Sequence, residues 1–312
     1  MQIINADSIA EALPYGRLIE SLRKAFSTET ISPERTQHKI KTNGNYDATL
    51  LVMPAWRQGK NVGIKIVSVF PGNVEQNLSA VHANYFLLDA ENGLPKAVLD
   101  GTELTLRRTA CASALAADYL ANHDVKTLLM VGTGNLAPHL VKAHMQVRDY
   151  SRVLIWGRRQ KKAEQLISLF EFDNIKIDVA TDLKKAVSVA DVISCATLSN
   201  EPLILGKWLK PGQHLDLVGA FTPEMREVDN QAVVLAKIVV DTYDGALSES
   251  GELITALKEG AIVEKDILAE LAEVIKKEKT VRTKADEITL FKSVGTALED
   301  LAAAELVLSN LE

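Results

Sequence analysis

The chain has 312 residues, of which 47% are hydrophobic and 24% charged, and its formal net charge is −6. That is an ordinary globular composition about two domains long, and its interspersed, slightly acidic charge excludes nucleic acid or an anionic membrane surface as the main partner. No apolar run is long enough to span a bilayer, the opening MQIINADSIAEAL lacks the basic start and long apolar core of a signal peptide, and Cys111 and Cys195 sit in apolar or small-residue surroundings as buried hydrophobes, so a cytoplasmic protein is expected.

Ser8-Ile-Ala-Glu11 has capping-box form and opens a short helix that Pro14 interrupts. Leu18, Leu22, Ala25 and Phe26 then make an apolar stripe at helical spacing. Strand-like runs crowd together after it, over 35–41, 48–53, 62–70, 81–88 and 96–99. They are divided by turn signals at Asn43-Gly44-Asn45, Gly59-Lys60-Asn61, Pro71-Gly72-Asn73 and Glu91-Asn92-Gly93. Nothing helical intervenes, which reads as a mostly antiparallel sheet. A long helix follows, from about Thr102 to Leu120.

From Val125 the pattern changes to alternating strands and helices, the mark of a parallel sheet. Strands are expected at 126–131, 152–156, 175–179, 191–196, 214–218 and 237–241. Helices are expected near 136–147, 160–171, 182–189 and 268–279, with a last alanine- and leucine-rich helix over 295–311 that is free to pack back on the first domain. The first strand runs into Gly132-Thr-Gly134-Asn135-Leu136-Ala137, the dinucleotide fingerprint in its G-x-G-x-x-A form. Gly132 permits the tight turn, Gly134 lets the backbone approach a pyrophosphate, and Ala137 allows close helix–strand packing. The strand before and the helix after supply the context that a bare glycine pair lacks.

Where the second parallel strand ends, an NAD-preferring site places an acid for the ribose 2′-hydroxyl. Here the chain reads Gly157-Arg158-Arg159. Two guanidinium groups suit a 2′-phosphate, and the competing reading is a solvated basic start to the next helix. Lys65 lies inside the apolar run Val62-Gly-Ile-Lys-Ile-Val67. It is either a buried lysine in need of a partner or an edge lysine that snorkels to water. Arg107 and Arg108 share a helix of small and apolar residues, and one of them must face its less polar side. Arg35 and His82 are further candidates. His139 and His144, the only close histidine pair, lie about 140° apart around a helix, so no metal site is expected.

The elements Leu104-Thr-Leu-Arg-Arg-Thr-Ala-Cys-Ala-Ser113, Gly63-Ile-Lys65-Ile-Val, Leu87-Leu-Asp-Ala-Glu-Asn-Gly93, Gly132-Thr-Gly134 and the ending Ile288-Thr-Leu-Phe-Lys-Ser-Val-Gly-Thr-Ala-Leu-Glu-Asp300 together resemble the ornithine cyclodeaminase/μ-crystallin family over nearly the whole chain. The resemblance implies an α/β protein in which a Rossmann-type parallel-sheet domain, 121–290, is inserted into a mostly antiparallel α+β substrate-binding and dimerisation domain, 1–120 plus 291–312. It implies that Lys65 and Arg108 are catalytic and that they bind substrate together with Arg35; His82 and Gly295 are further substrate-side candidates. It implies that Gly134, Asn135 and Leu136 contact the cofactor through their backbone, beside Gly132 of the turn, and that Thr197 and Ser293 lie near its nicotinamide end, where Phe221 is a further cofactor-side candidate. The partners it implies are a small cyclic imino acid and a second copy of the chain.

One departure is informative. Cyclodeaminases carry an aspartate after the strand that here ends Leu217-Val-Gly-Ala-Phe221, and Phe221 stands in its place. Oxidative deamination and cyclisation need a carboxylate to manage protons, whereas reduction of a preformed cyclic imine needs a hydride, an anion anchor and one proton. The chain therefore resembles the family's ketimine-reductase branch. That implies reduction of Δ1-pyrroline-2-carboxylate, and of its six-membered piperideine homologue, to L-proline and L-pipecolate with a nicotinamide cofactor; Arg158 and Arg159 point to NADPH, with NADH as the alternative. A cyclodeaminase-type lyase and a non-enzymatic NADPH-dependent binder remain the rival readings at this point.

Overall fold

In the computed structural model of the chain, which describes every residue except Asn45, Asn77, Asp173 and Glu312 and the side chain of Val74, the first half is built as the turn signals predict. Asn45, in the first of those turns, lies outside the described residues. The elements in chain order are β1 (Gln2–Ile4), α1 (Ala6–Ala12), α2 (Tyr15–Ser27), β2 (Thr36–Ile40), β3 (Ala48–Trp56), β4 (Asn61–Val69), β5 (Val81–Asp89), β6 (Pro95–Asp100) and α3 (Gly101–Leu120). The strands form a sheet in the order β1-β6-β5-β4-β3-β2, antiparallel apart from the β1–β6 pair.

Two local expectations are corrected here. Asn5, not Ser8, caps α1: its side chain accepts the Ser8 N–H at 2.9 Å, so the helix begins before the capping-box motif. β1 was not expected at all, because three residues are too few to carry a period. It exists through its pairing with β6.

The second half continues with β7 (Thr127–Val131), α4 (Ala137–His144), β8 (Arg152–Trp156), α5 (Gln160–Ile167), β9 (Lys176–Val179), α6 (Leu183–Val189), β10 (Val192–Cys195), β11 (His214–Leu217), α7 (Asn230–Leu235), β12 (Ala236–Val240), α8 (Tyr243–Glu249), α9 (Gly251–Lys258), β13 (Ile267–Glu270), α10 (Leu271–Ile275), β14 (Ile288–Lys292) and α11 (Ala297–Leu311). Its strands form one parallel sheet, β13-β12-β14-β11-β10-β7-β8-β9. The chain therefore reverses direction across the sheet between β7 and β10, the switch point at which Rossmann folds bind dinucleotides.

The helix expected over 268–279 is instead the edge strand β13 followed by the short α10. Ile267 and Ala269 are buried in alternation with half-buried neighbours, a period of two that pairs with β12. β14 also lies outside the strands expected from the sequence. It inserts between β11 and β12, and Thr289 to Lys292 are buried.

The chain divides into two compact units, Met1–Arg108 with Thr296–Glu312, and Thr109–Gly295. These divisions fall inside α3 and just before α11, whereas the sequence reading put the boundaries at 120 and 290. Residues 291–295 belong with the parallel sheet because β14 is one of its strands. In the first unit α11 packs on α2, β3 and β4, and Leu301, Ala302, Ala303, Ala304 and Val307 of α11 are buried, as are Leu18, Leu22 and Phe26 of α2. In the second unit the core is formed by strand residues such as Leu129, Val131, Ile193, Cys195, Leu215 and Leu217, with α7 and α9 packed over them. Among the described residues no helix is long and apolar enough to cross a membrane.

Candidate active site

β4 alternates so that Gly63, Lys65 and Val67 face inward. This decides between the two readings of Lys65: the side chain points into the core and is 2% exposed. A buried ammonium requires a counter-charge, and α11 brings it. Lys65 Nζ is 2.7 Å from Asp300 Oδ2. From α3, Arg108 donates through Nε to Asp300 Oδ1 at 2.9 Å and through NH1 to Glu299 at 2.5 Å, and is 4% exposed. Arg107 turns the other way, pairing with Glu103 at 2.6 Å, donating to the Leu13 carbonyl and lying over the Tyr15 ring.

The electrostatics follow from this packing. Burial, reinforced by Arg108 and Arg35 and opposed by Asp300, lowers the Lys65 ammonium from 10.5 to about 8. Burial works against the charge of Arg108 too, but Asp300 and Glu299 more than offset it and hold it protonated. Asp300, although buried, is kept below its usual range by Arg108 and Lys65. Two cations and two anions thus share one dry network, with half-buried Arg35 close enough to act on Lys65. His82 stands apart from it. It is exposed on β5, opposite Ser68, while Tyr85 is the β5 residue opposite Lys65 and is fully buried.

In the second unit Gly132 ends β7 with φ 123°, and a Cβ there would stand 2.5 Å from the Ala196 carbonyl oxygen, so only glycine fits. At Gly134 a Cβ would meet nothing within 4 Å. Gly134 and Asn135 are exposed, Leu136 is half-buried, and Ala137, the first residue of α4, is fully buried. Open space over a bare backbone at a helix N-terminus is the shape a pyrophosphate requires, so these residues fit a dinucleotide. Arg158 and Arg159 are exposed just beyond β8, whose last residue Trp156 accepts the Gly132 N–H.

The nicotinamide-side candidates are held by carboxylates that the sequence reading did not single out. Thr197, just after β10, donates its N–H and its hydroxyl to Glu227 Oε1 at 2.6 and 2.8 Å. Ser293 donates its hydroxyl to Asp241 Oδ2 at 3.0 Å, and the Val294 and Gly295 N–H groups donate to the same oxygen at 2.8 and 2.6 Å. Gly295 has φ 85°, which this tight wrap requires. Phe221 follows Ala220, which takes the left-handed φ of 51°, and is 45% exposed. Among the described residues no three His, Cys, Asp or Glu side chains converge as a metal site.

The structure thus joins Lys65 and Arg108 through Asp300, with Arg35 close enough to act on Lys65, and leaves His82 outside the network. Within the second unit it ties Thr197 to Glu227, and Ser293 and Gly295 to Asp241. The residues missed were Asp300, Glu299, Glu227 and Asp241. For the first two a signal was present: adjacent acids inside the otherwise small and apolar stretch Gly295-Thr-Ala-Leu-Glu-Asp-Leu-Ala-Ala-Ala304 are out of place unless buried cations meet them.

Known proteins resemble the chain over nearly its whole length. The ornithine cyclodeaminase/mu-crystallin family matches residues 3–312. A Delta(1)-pyrroline-2-carboxylate reductase of Colwellia psychrerythraea is 37% identical over 316 residues, covering 100% of this chain and 99% of the relative. Among solved structures, the Thermococcus litoralis Delta(1)-pyrroline-2-carboxylate reductase in complex with NADH and L-proline superposes with a TM-score of 0.92 at 32% identity, covering 99% of this chain and 97% of that one. An archaeal alanine dehydrogenase dimer with bound NAD gives a TM-score of 0.91 at 30% identity, over 99% of this chain and 95% of that one.

Proposed function

Because the chain belongs to the ornithine cyclodeaminase/mu-crystallin family, we propose from that premise that it is an imine reductase, converting Δ1-pyrroline-2-carboxylate to L-proline with a nicotinamide cofactor and NADPH preferred. The observation that carries the reading is the network in which Asp300 is shared by a buried lysine and a buried arginine. One group there can give a proton and another can hold an anion. The 37% identity to a reductase of that name supports the substrate assignment.

When bound, the reduced nicotinamide supplies the hydride that C2 of the imine accepts. The chain's own residues do the rest. Lys65, 2.7 Å from Asp300 and poised near neutral pH, holds the proton that ends on the ring nitrogen. Arg108, fixed by Glu299 and Asp300, offers its planar guanidinium to the substrate carboxylate. Lys65, Arg108, Asp300 and Glu299 sum to zero charge when ionised, so the added negative charge of that carboxylate falls to Arg35. Thr197, Phe221 and Ser293 line the nicotinamide end, and Gly132, Gly134, Asn135 and Leu136 take the pyrophosphate. His82 and Gly295 remain substrate-side candidates. A second copy of the chain is part of the proposal, supported by the likeness to a dimeric alanine dehydrogenase and by β2, an edge strand with all five residues exposed.

The deciding experiment compares two substrates. The protein should oxidise NADPH with pyrroline-2-carboxylate and release no ammonia from L-ornithine, since Phe221 supplies no carboxylate for deprotonation or ring closure. Robust ornithine deamination would overturn the reductase reading, and turnover of neither substrate would favour a binder.

Cofactor preference is expected to rest on Arg158 and Arg159. Their joint replacement by alanine should weaken NADPH by about 1.5–3 kcal/mol, the worth of a charge-assisted contact, and leave NADH nearly unchanged. Equal weakening of both cofactors would show that the two arginines simply face water.

A further inference from the structure

The Glu227 carboxyl is fully buried, and its partners fix which atom does what. Thr197 donates both its N–H and its hydroxyl to Oε1. A peptide N–H can only donate, so Oε1 is an acceptor and the hydroxyl proton is committed to it as well. The half-buried Thr197 Oγ1 is left with lone pairs alone, an obligate acceptor toward anything that reaches it.

Glu227 is itself held from several elements. Its N–H donates to Glu252 Oε1 at 2.8 Å, and Glu252 Oε2 stands 3.4 Å from Lys292 Nζ, which donates to the Gly219 carbonyl. A Cβ on Gly219 would collide with the Glu227 carboxyl and the Thr197 backbone, so glycine makes room for the acid. The segments following β10 and β11 and the last residue of β14 are thereby pinned to one another. Burial, reinforced by Glu252 and opposed by Lys292, pushes the Glu227 carboxyl up to about 8, and the Cys195 thiol also faces it. Buried ionic clusters are a weak source of stability compared with apolar packing. What this one yields is a fixed hydroxyl.

Its place in the sheet says what that hydroxyl meets. The pyrophosphate turn follows β7, and Arg158 and Arg159 follow β8 on one side of it. β10, which leads to Thr197, adjoins β7 on the other side. A dinucleotide lying across the switch point with its adenosine toward β8 has its nicotinamide toward β10.

We propose that Glu227 is a positioning residue for the nicotinamide: it holds the Thr197 hydroxyl as the acceptor for the carboxamide N–H of the cofactor. This rests on the reading of the β7 turn as a dinucleotide site and adds a specificity that the turn alone does not give. The contact distinguishes the carboxamide from a ketone of the same shape.

The test measures dissociation constants by protein fluorescence, without turnover, for NADPH and for its reduced 3-acetylpyridine analogue, in which a methyl group replaces the amide nitrogen. Thr197→Val should weaken NADPH roughly three- to tenfold, the worth of one hydrogen bond, and leave the analogue within about twofold. Thr197→Ser should restore the difference. Glu227→Gln, whose amide oxygen accepts the same two donors, should bind NADPH like the parent, whereas Glu227→Leu should behave like Thr197→Val. Equal weakening of both cofactors by Thr197→Val overturns the proposal, as does loss of discrimination in a folded Glu227→Gln protein. Failure of the unaltered protein to bind either cofactor overturns the dinucleotide reading beneath it.

Discussion

Arg108→Lys is expected to lower kcat/KM for the cyclic imine by one to two orders of magnitude, although it preserves the charge. The guanidinium reaches Glu299 with NH1 and Asp300 with Nε at once. A lysine ammonium is a point charge on a flexible stem and cannot span both acids while presenting a flat edge to a substrate carboxylate. Losing one charge-assisted hydrogen bond costs about 1.5–3 kcal/mol, and each 1.36 kcal/mol is a decade in rate. Arg107→Lys is the control. Its contacts are to Glu103, the Leu13 carbonyl and the Tyr15 ring, so its effect on kcat/KM should be several-fold at most. Steady-state kinetics of the two variants in the opposite order would remove Arg108 from the site.

Removing Asp300 should have the largest effect on stability and a diagnostic one on pH dependence. Asp300→Ala leaves Lys65 and Arg108, both buried, without the carboxylate they share, and breaking a buried pair in this way costs about 3–5 kcal/mol. Urea denaturation would measure it, and a loss below about 1 kcal/mol would show that the network does not hold the fold at that point. The milder Asp300→Asn separates chemistry from folding. If Lys65 gives the imine proton, kcat/KM in the unaltered protein falls as pH rises through about 8, where the folded-state ammonium deprotonates. Asp300 is the group that favours that ammonium, so in Asp300→Asn the falling limb should move to lower pH. A limb that stays in place would mean that another group titrates.

Stability should move in the opposite direction over the same range. The folded pKa of Lys65 lies below its ordinary 10.5. Between about 8 and 10.5 the unfolded chain therefore holds more protons than the folded one, and the Lys65 contribution to stability rises with pH as activity falls. Opposite slopes in the two measurements identify one buried lysine as the source of both.

The Rossmann half was legible because its signals are local. A short apolar strand, two glycines at fixed spacing and a helix beginning at Ala137 lie within one stretch, and Gly132 and Gly134 have the constraints that spacing implies: a positive φ at one and open space at the other. The strands of the first unit were legible for the same reason, since turn residues punctuate them. Element type failed where pairing overrode pattern. Residues 267–270 carry apolar residues that suit a helix equally well, and only the neighbouring β12 makes them a strand.

By itself, then, the sequence determined most of the elements, the dinucleotide turn and the residue types able to do the chemistry, because each is encoded within a few residues of chain. Tertiary structure decided which of those residues act together. Lys65 shares one face of β4 with Gly63 and Val67 whichever face is buried, but the core on that face and the acid that meets it come from α11. Asp300 stands 192 residues beyond Arg108 in the chain. The choice of Arg108 over Arg107, the pairing of Thr197 with Glu227 and the insertion of β14 between β11 and β12 are decisions of the same kind. Burying a charge is costly without a partner, and which partner arrives is set by how distant segments pack, not by the residues on either side.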